Sequence, residues 1–297
     1  MAENQITNTA ALFSPQLITN VFNKVKGHSA LAALSGQTPI PFSGNDVFVF
    51  TMDGEASIVG EGEEKPAGQA LFAKKTIKPI KFVYQHRLTD EFIKMSESQQ
   101  VPYVEQFTDG FAKKMARALD IAAFHGLNPS TSASSSIVGD NCFDSAITNS
   151  ITIETGKEDE SLDDAVALIQ ANDGDVTGIA MTPQFASAMG KIKASGTGTY
   201  LYPEFRFGAR PTSFAGRSTN VNNTVGFNNS KDNVIMGDFV KAFRWGYAEN
   251  VPMEIIQYGD PDGLGDLKRN NQIVLRAEAY LGWGILDTDS FAKVVSE

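Results

Sequence analysis

Cysteine is almost missing from this chain. One residue, Cys142, among 297 excludes an intrachain disulfide framework and a zinc site built on paired cysteines. Histidine is scarce as well. His28, His86 and His125 fall in three different predicted elements with no HxH or HxxxH spacing, so a shared metal site is not expected. No run of about 18 apolar residues occurs, which excludes an ordinary membrane-spanning helix. The start, MAENQITNTAALFSPQL, has neither a basic nor an apolar region and is no secretory signal. A soluble protein made in a reducing cytosol is expected. Positive charge is in deficit: 25 basic against 35 acidic residues give a net charge of −10. Such a surface repels phosphate and argues against tight non-specific nucleic-acid binding.

Catalytic patterns are missing too. GxSxG is absent, and SGTGTY has no GK[ST] and no strand-to-helix frame for a phosphate cradle. Glu61, Glu63 and Glu64 sit on a charged turn where water keeps a carboxylate ordinary, so acid–base work is not expected of them. DPDGLGD offers Asp260, Asp262 and Asp266 in the manner of a calcium loop. It lacks a closing glutamate and flanking helices, and an acidic turn is the expectation. The sequon NNT at 222–224 has no meaning without secretion. No catalytic residue, cofactor or metal is expected.

What is present is 42% hydrophobic residues, enough for a sizeable core. Residues 1–13 read as an arm. Ser14 and Pro15 then open a helix with Ile18, Val21, Phe22 and Val25 on one stripe, stopped by Gly27. Val47 to Phe50 read as a strand. The stretch EASIVGEGEEKPAGQALFAKKTIKPIKFVYQHRL, residues 55–88, predicts a two-stranded ribbon, its first strand short and its tip at EGEEKPAG. A lone hairpin is marginal in water and needs something to pack on.

The clearest helix is predicted from Pro102 to Gly126, roughly 36 Å long at 1.5 Å per residue. Val104, Phe107, Phe111, Met115 and Leu119 form its apolar stripe. The serine-rich STSASSSIVGDNCF predicts a flexible connector and a boundary near residue 135. Beyond it come a helix opened by Ser161, a strand at VTGIAM, and a helix capped by Thr182-Pro183 and running to about Ala194. Some 35 residues from SGTGTY to GFNNS predict a structureless stretch. NVIMGDFVKAFRWGYAENVPMEII reads as paired strands, YGDPDGLGDLKRN as a surface turn, and the end of the chain as a long strand, a turn and a closing strand.

Several segments in order resemble the major capsid proteins of tailed bacteriophages, whose fold is shared by encapsulin shells and the floor domains of herpesvirus capsids. Family members carry a VGEG…KP tip, a phenylalanine, an L-x-P-x-K strand and an S/T-x-E-L/F segment. Here these are Val59-Gly60-Glu61-Gly62, Lys65-Pro66, Phe72, Ile77 to Lys81, and Thr89 to Phe92. Asp120, Ala122 and Gly126 resemble the close of the family's spine helix. IAMTPQFASAMGKIK resembles its M-x-P strand and helix, and Gly237-Asp238-Phe239 its GDF strand. VLRAEAYLGWGILDTDSFAKV resembles its carboxy-terminal segment, with the second arginine missing and Ala279 or Tyr280 standing in its place. SFAGRSTNV echoes the family's apical L-x-G-x-P-V only loosely.

The resemblance implies an α+β fold. It comprises an amino-terminal arm over 1–30, an extended loop over 55–82, a peripheral domain from 31–54, 83–134 and 271–297, and an inserted apical domain over 135–270. It implies a structural protein, not an enzyme, whose copies form pentamers and hexamers in the icosahedral head around double-stranded DNA without binding it tightly. The chain would be made in host cytoplasm, with a portal and, because the sequence opens at the arm, either a separate scaffolding protein or none. The extended loop would lie across a neighbouring copy through Gly60, Glu61, Gly62, Glu63, Glu64, Lys65, Pro66, Phe72, Lys74 and Lys75, with Phe72, Ile77, Ile80 and Phe82 as its apolar face. One branch joins a loop lysine covalently to a neighbour's asparagine, assisted by a glutamate. Lys74 or Lys75, Asn270 or Asn271, and Glu278 would imitate that trio, although such residues are commonplace on ribbons and in turns. An encapsulin-like compartment and an uncharacterised hydrolase are the alternatives.

Overall fold

The computed structural model of the chain describes residues 28–53, 56–248 and 253–297. The arm and the helix expected over Ser14 to Gly27 lie outside them.

Two long strands form a ribbon that, among the described residues, pairs with no third strand. Strand β1 (Asn45–Asp53) pairs antiparallel with β2 (Gln69–Ile77), Asn45 facing Ile77 and Asp53 facing Gln69. The first strand is therefore not the EASIVG segment, whose described residues belong to the connecting tip. Val47, Phe48 and Val49 are β-branched or aromatic and favour the pleat, whereas glycine and glutamate at the tip do not. At Lys78-Pro79 the chain leaves the ribbon and enters β3 (Ile80–Thr89) in another sheet.

That sheet is built on β11 (Gln272–Ile285). One edge carries β3; the other carries β10 (Met253–Ile256) and then β9 (Phe243–Tyr247). Helix α1 (Ala30–Leu34) is followed by a segment whose Thr38 and Ile40 amides donate to Trp245 and Tyr247 carbonyls at 2.9 and 3.0 Å. Gly246 permits this crossing, because a Cβ there would stand 1.6 Å from the Thr38 carbonyl oxygen.

After α2 (Glu91–Lys94) comes the long helix α3 (Glu97–His125), five residues longer at its start than expected. A capping box between Ser96 and Gln99 fixes that start, so Pro102 lies inside the helix instead of opening it. Gly126, at φ 66°, closes it. Val104, Phe107, Phe111, Met115 and Leu119 are all buried, against the four-stranded sheet and α1.

The serine-rich segment is not a loose connector. Its turns are hydrogen-bonded, the Ser135 amide donating to the Gly126 carbonyl at 2.9 Å, and it leads Val138, Cys142 and Phe143 into the core. Serine here serves turns instead of flexibility. The core continues through α4 (Phe143–Ala146) into a six-stranded sheet of order β4-β12-β8-β5-β7-β6. Its strands are β4 (Ser150–Thr152), β5 (Gly178–Met181), β6 (Ser213–Phe214), β7 (Arg217–Val221), β8 (Asp232–Gly237) and β12 (Phe291–Val295). Helices α5 (Glu158–Gln170) and α6 (Pro183–Met189) cover it with Leu162, Ile169, Phe185 and Met189. Helix α5 begins three residues before Ser161, its first turn being acidic and matched to the helix dipole; α6 ends early at Gly190.

One expectation changes here. The 35-residue stretch is not structureless: it holds a 3₁₀ segment at Pro203–Gly208 and β7, which lies parallel beside β5. Sheet membership, a separate matter from domain boundaries, runs across positions 135 and 270. Strands β9 and β10 pair with β11 and not with β8, while β12 crosses into the six-stranded sheet between β4 and β8. Such pairings are non-local and leave no local pattern.

Candidate assembly surfaces and polar clusters

The ribbon's faces are largely open. Phe48 and Phe72 stack with ring centroids 5.0 Å apart while 57% and 66% exposed. Ile77 is not part of that face: it is buried at the ribbon's base, beneath Gly282 and Gly284. Ile80 and Phe82 lie on β3 and pack on the main core. At the tip a turn closes through the Glu63 amide on the Gly60 carbonyl at 3.2 Å, with Gly62 at φ 87°. Gly60 to Gly68 are exposed throughout, so Glu61, Glu63, Glu64, Lys65 and Pro66 stand in water.

Both ribbon lysines are engaged within the chain. Lys74 pairs with Asp46 at 2.7 Å, which holds the Asp46 carboxyl below its usual range. The Lys75 ammonium donates to the Ile285 carbonyl, and burial pushes it down. Glu278 pairs with Lys81 at 2.7 Å, and the Asn271 carbonyl accepts from the Asp90 amide at 3.0 Å. Lys75, Asn271 and Glu278 are thus placed apart: seven residues of extended chain, about 23 Å, separate the last two.

Three polar clusters are hidden from sequence reasoning. Asp120, fully buried in α3, accepts from the Ser29 hydroxyl, the Ala30 amide at 2.8 Å, the Leu31 amide at 3.3 Å and the Thr224 hydroxyl at 2.8 Å. Burial raises it to about 6 against the pull of these donors. It anchors the start of α1.

His125, at the end of α3, has Nδ1 2.8 Å from Asp144 and 3.9 Å from Asp232, and Nε2 donates to the Thr224 carbonyl at 2.9 Å. Burial opposes its protonation, but the Asp144 hydrogen bond and charge outweigh burial and raise it. Asp232 is pushed up to about 7 by burial and by its hydrogen bond with Asp144, the member that stays ionised. This cluster ties α3, α4 and β8 together.

The DPDGLGD turn has a cation of its own. Arg87 on β3 donates to Asp262, Asp260 at 3.2 Å, the Gly265 carbonyl at 2.8 Å and Gln272 at 2.9 Å. The guanidinium neutralises part of the turn's negative charge. None of these three pairings has a local signal, since the partners stand roughly 20 to 180 residues apart.

No helix among the described residues is long and apolar enough to cross a membrane. What the fold offers is a projecting ribbon on a large mixed core, the build of a shell subunit. Solved structures share that build. A chain from Mycobacterium phage Ogopogo is 32% identical over 91% of this chain and 92% of its own, with a TM-score of 0.77. One from Gordonia phage Cozz is 26% identical over 91% and 87%, with a TM-score of 0.74. A chain from the capsid of an empty GTA particle shares the fold at 15% identity over 91% and 90%, with a TM-score of 0.62. No curated protein sequence matches. These likenesses place the molecule among viral structural proteins. The phage capsid family matches residues 9–296, and the chain belongs to it: it is a major capsid protein, a self-assembling component of the virion shell.

Proposed function

We propose that copies of this chain form pentamers and hexamers that close an icosahedral head around double-stranded DNA, and that the β1–β2 ribbon lies across a neighbouring copy. The observation that carries this is a two-stranded ladder which, among the described residues, pairs with no third strand and keeps Phe48 exposed. A two-stranded ladder with open faces gains its stability from packing on something else, and in a shell that is the next subunit. The six-stranded unit would meet its copies around the symmetry axes. The subunit has no catalytic role, is made in host cytoplasm, and works with a portal and a scaffolding protein. Lys75, Asn271 and Glu278 would have to meet across copies to cross-link, and their present partners argue for a shell without covalent joints.

Purified protein imaged by electron microscopy across concentration and salt, with and without its scaffold, should form rings or shells. Monomers under every condition would refute the reading. Small shells filled with protein cargo would favour the compartment alternative instead.

A further inference from the structure

Beside α3, on the side away from β3, lies a concavity of about 400 Å³ with no carboxylate in its lining. His28, Lys113, Arg117 and Arg210 line it, with hydroxyl and amide groups from Thr212 and Asn222. In a chain of net charge −10, three basic side chains and a histidine meet here without a carboxylate among the lining residues. Among the described residues, neither Lys113, Arg117 nor Arg210 enters an ion pair. Arg117 is held in place, donating to Asn223 at 2.9 Å and lying over the Phe227 ring. Lys113 and Arg210 are exposed. The site is thus a preformed anion receptor with fixed and adaptable donors.

We infer that this cleft receives the acidic ribbon tip of a second copy, Glu61, Glu63 and Glu64 meeting Lys113, Arg117 and Arg210. The inference rests on the ribbon crossing a neighbour, and it names the receptor. The tip is complementary in charge, and none of its three carboxylates has an ion pair among the described residues. It is also presented outward: the Gly60 to Glu63 turn lies within the segment linking β1 to β2, and Gly60 to Gly68 are exposed throughout. A DNA duplex, about 20 Å across, lies over such a cleft without entering it. Each copy carries both tip and cleft on different surfaces, so the contact is head-to-tail and repeats around a ring.

The test is a charge exchange. The cleft variant carries Lys113→Glu and Arg210→Glu; the tip variant carries Glu61→Lys, Glu63→Lys and Glu64→Lys; a third chain carries all five. Each partial variant should lower shell yield about tenfold, and the five-fold exchange should recover most of it, as expected for repeated complementary pairs. Circular dichroism of the unassembled chains verifies folding. Should charge reversal unfold the subunit, the neutral pair Lys113→Gln and Arg210→Gln reads the same contact. Its shell yield should be low and indifferent to salt, where the unaltered chain loses yield as salt rises. No recovery in the five-fold exchange, or a salt response unchanged by the neutral pair, overturns the receptor. Normal shells from the cleft variant that retain less DNA assign the cleft to nucleic acid and likewise overturn it. A tip deletion that still blocks assembly in those cases leaves the ribbon's role intact.

Discussion

Arg87 holds Asp262 through a two-pronged contact, Nε donating to one carboxylate oxygen at 2.9 Å and Nη2 to the other. The guanidinium plane matches the carboxylate, and the remaining donors reach Asp260, Gly265 and Gln272. Arg87→Ala should loosen the 258–270 turn and expose it to protease. Arg87→Lys should be cleaved there as well, because an ammonium lacks the fork. Limited proteolysis with mass mapping reads this directly. An unchanged cleavage pattern in Arg87→Ala would mean that the turn is held elsewhere.

Phe111 is fully buried at the middle of α3, stacked toward Phe107 at 6.5 Å. Phe111→Ala should cost about 3–5 kcal/mol, a large part of a domain's stability. Phe72→Ala, on the open ribbon, should leave the melting of the unassembled subunit nearly unchanged. Equal melting of both variants would place Phe111 outside the core.

The acid–base clusters set a direction for pH. Asp120 rises to about 6 and Asp232 to about 7, both from 3.8. Between those values the folded chain holds protons that the unfolded chain releases, so stability falls as pH rises through the window. His125 is raised as well; its contribution is complete below 6.5 and is lost as pH climbs through the folded value. Asp144, lowered, contributes above 3.8 and loses that share only in stronger acid. The unassembled subunit should therefore melt lower at pH 8 than at pH 5.5, and Asp232→Asn should flatten the slope. A melting temperature that climbs across this range contradicts the assignment.

Deleting residues 60–68 should leave the subunit folded and prevent stable shells. The tip is hydrated and adds about a kilocalorie or less to the subunit itself, while its proposed intersubunit contact would recur in every copy. Circular dichroism beside sedimentation separates the two effects. Abundant shells would make the tip mere decoration, and an unfolded chain would put it in the intrachain core.

Denaturing gels of mature heads should show one band at the monomer mass, because Lys75 and Glu278 are occupied by the Ile285 carbonyl and by Lys81. A ladder of multimers resistant to denaturant would show the covalent joint instead.

Elements with a strong local pattern are legible in the sequence. The apolar stripe from Val104 to Leu119 announces α3, the Thr182-Pro183 pair announces α6, and the long run after Gln272 announces β11. The start of α3 is hidden because Pro102 imitates a first-turn proline while the capping box at Ser96 and Gln99 lies upstream. The ribbon is legible as an object but shifted in register, since its glycine- and glutamate-rich tip interrupts the alternation. Strand partnership is illegible: nothing in FAKVV tells that β12 lies between β4 and β8. The polar clusters are equally silent, because Asp120 and Ala30 or Arg87 and Asp262 meet only after the sheets have formed.

The passage of β2 into β3 at Lys78-Pro79, without an intervening helix or long loop, would decide how the proposed filled shell bears tension. A pull on the ribbon would pass into the ten paired positions joining β3 to β11. Loaded lengthwise, those ladder bonds would share the force and have to slip together, whereas a pull across the strands would peel them one at a time. The ribbon would then act as a tie rod anchored in that ladder, and outward pressure from the contents would be met in shear.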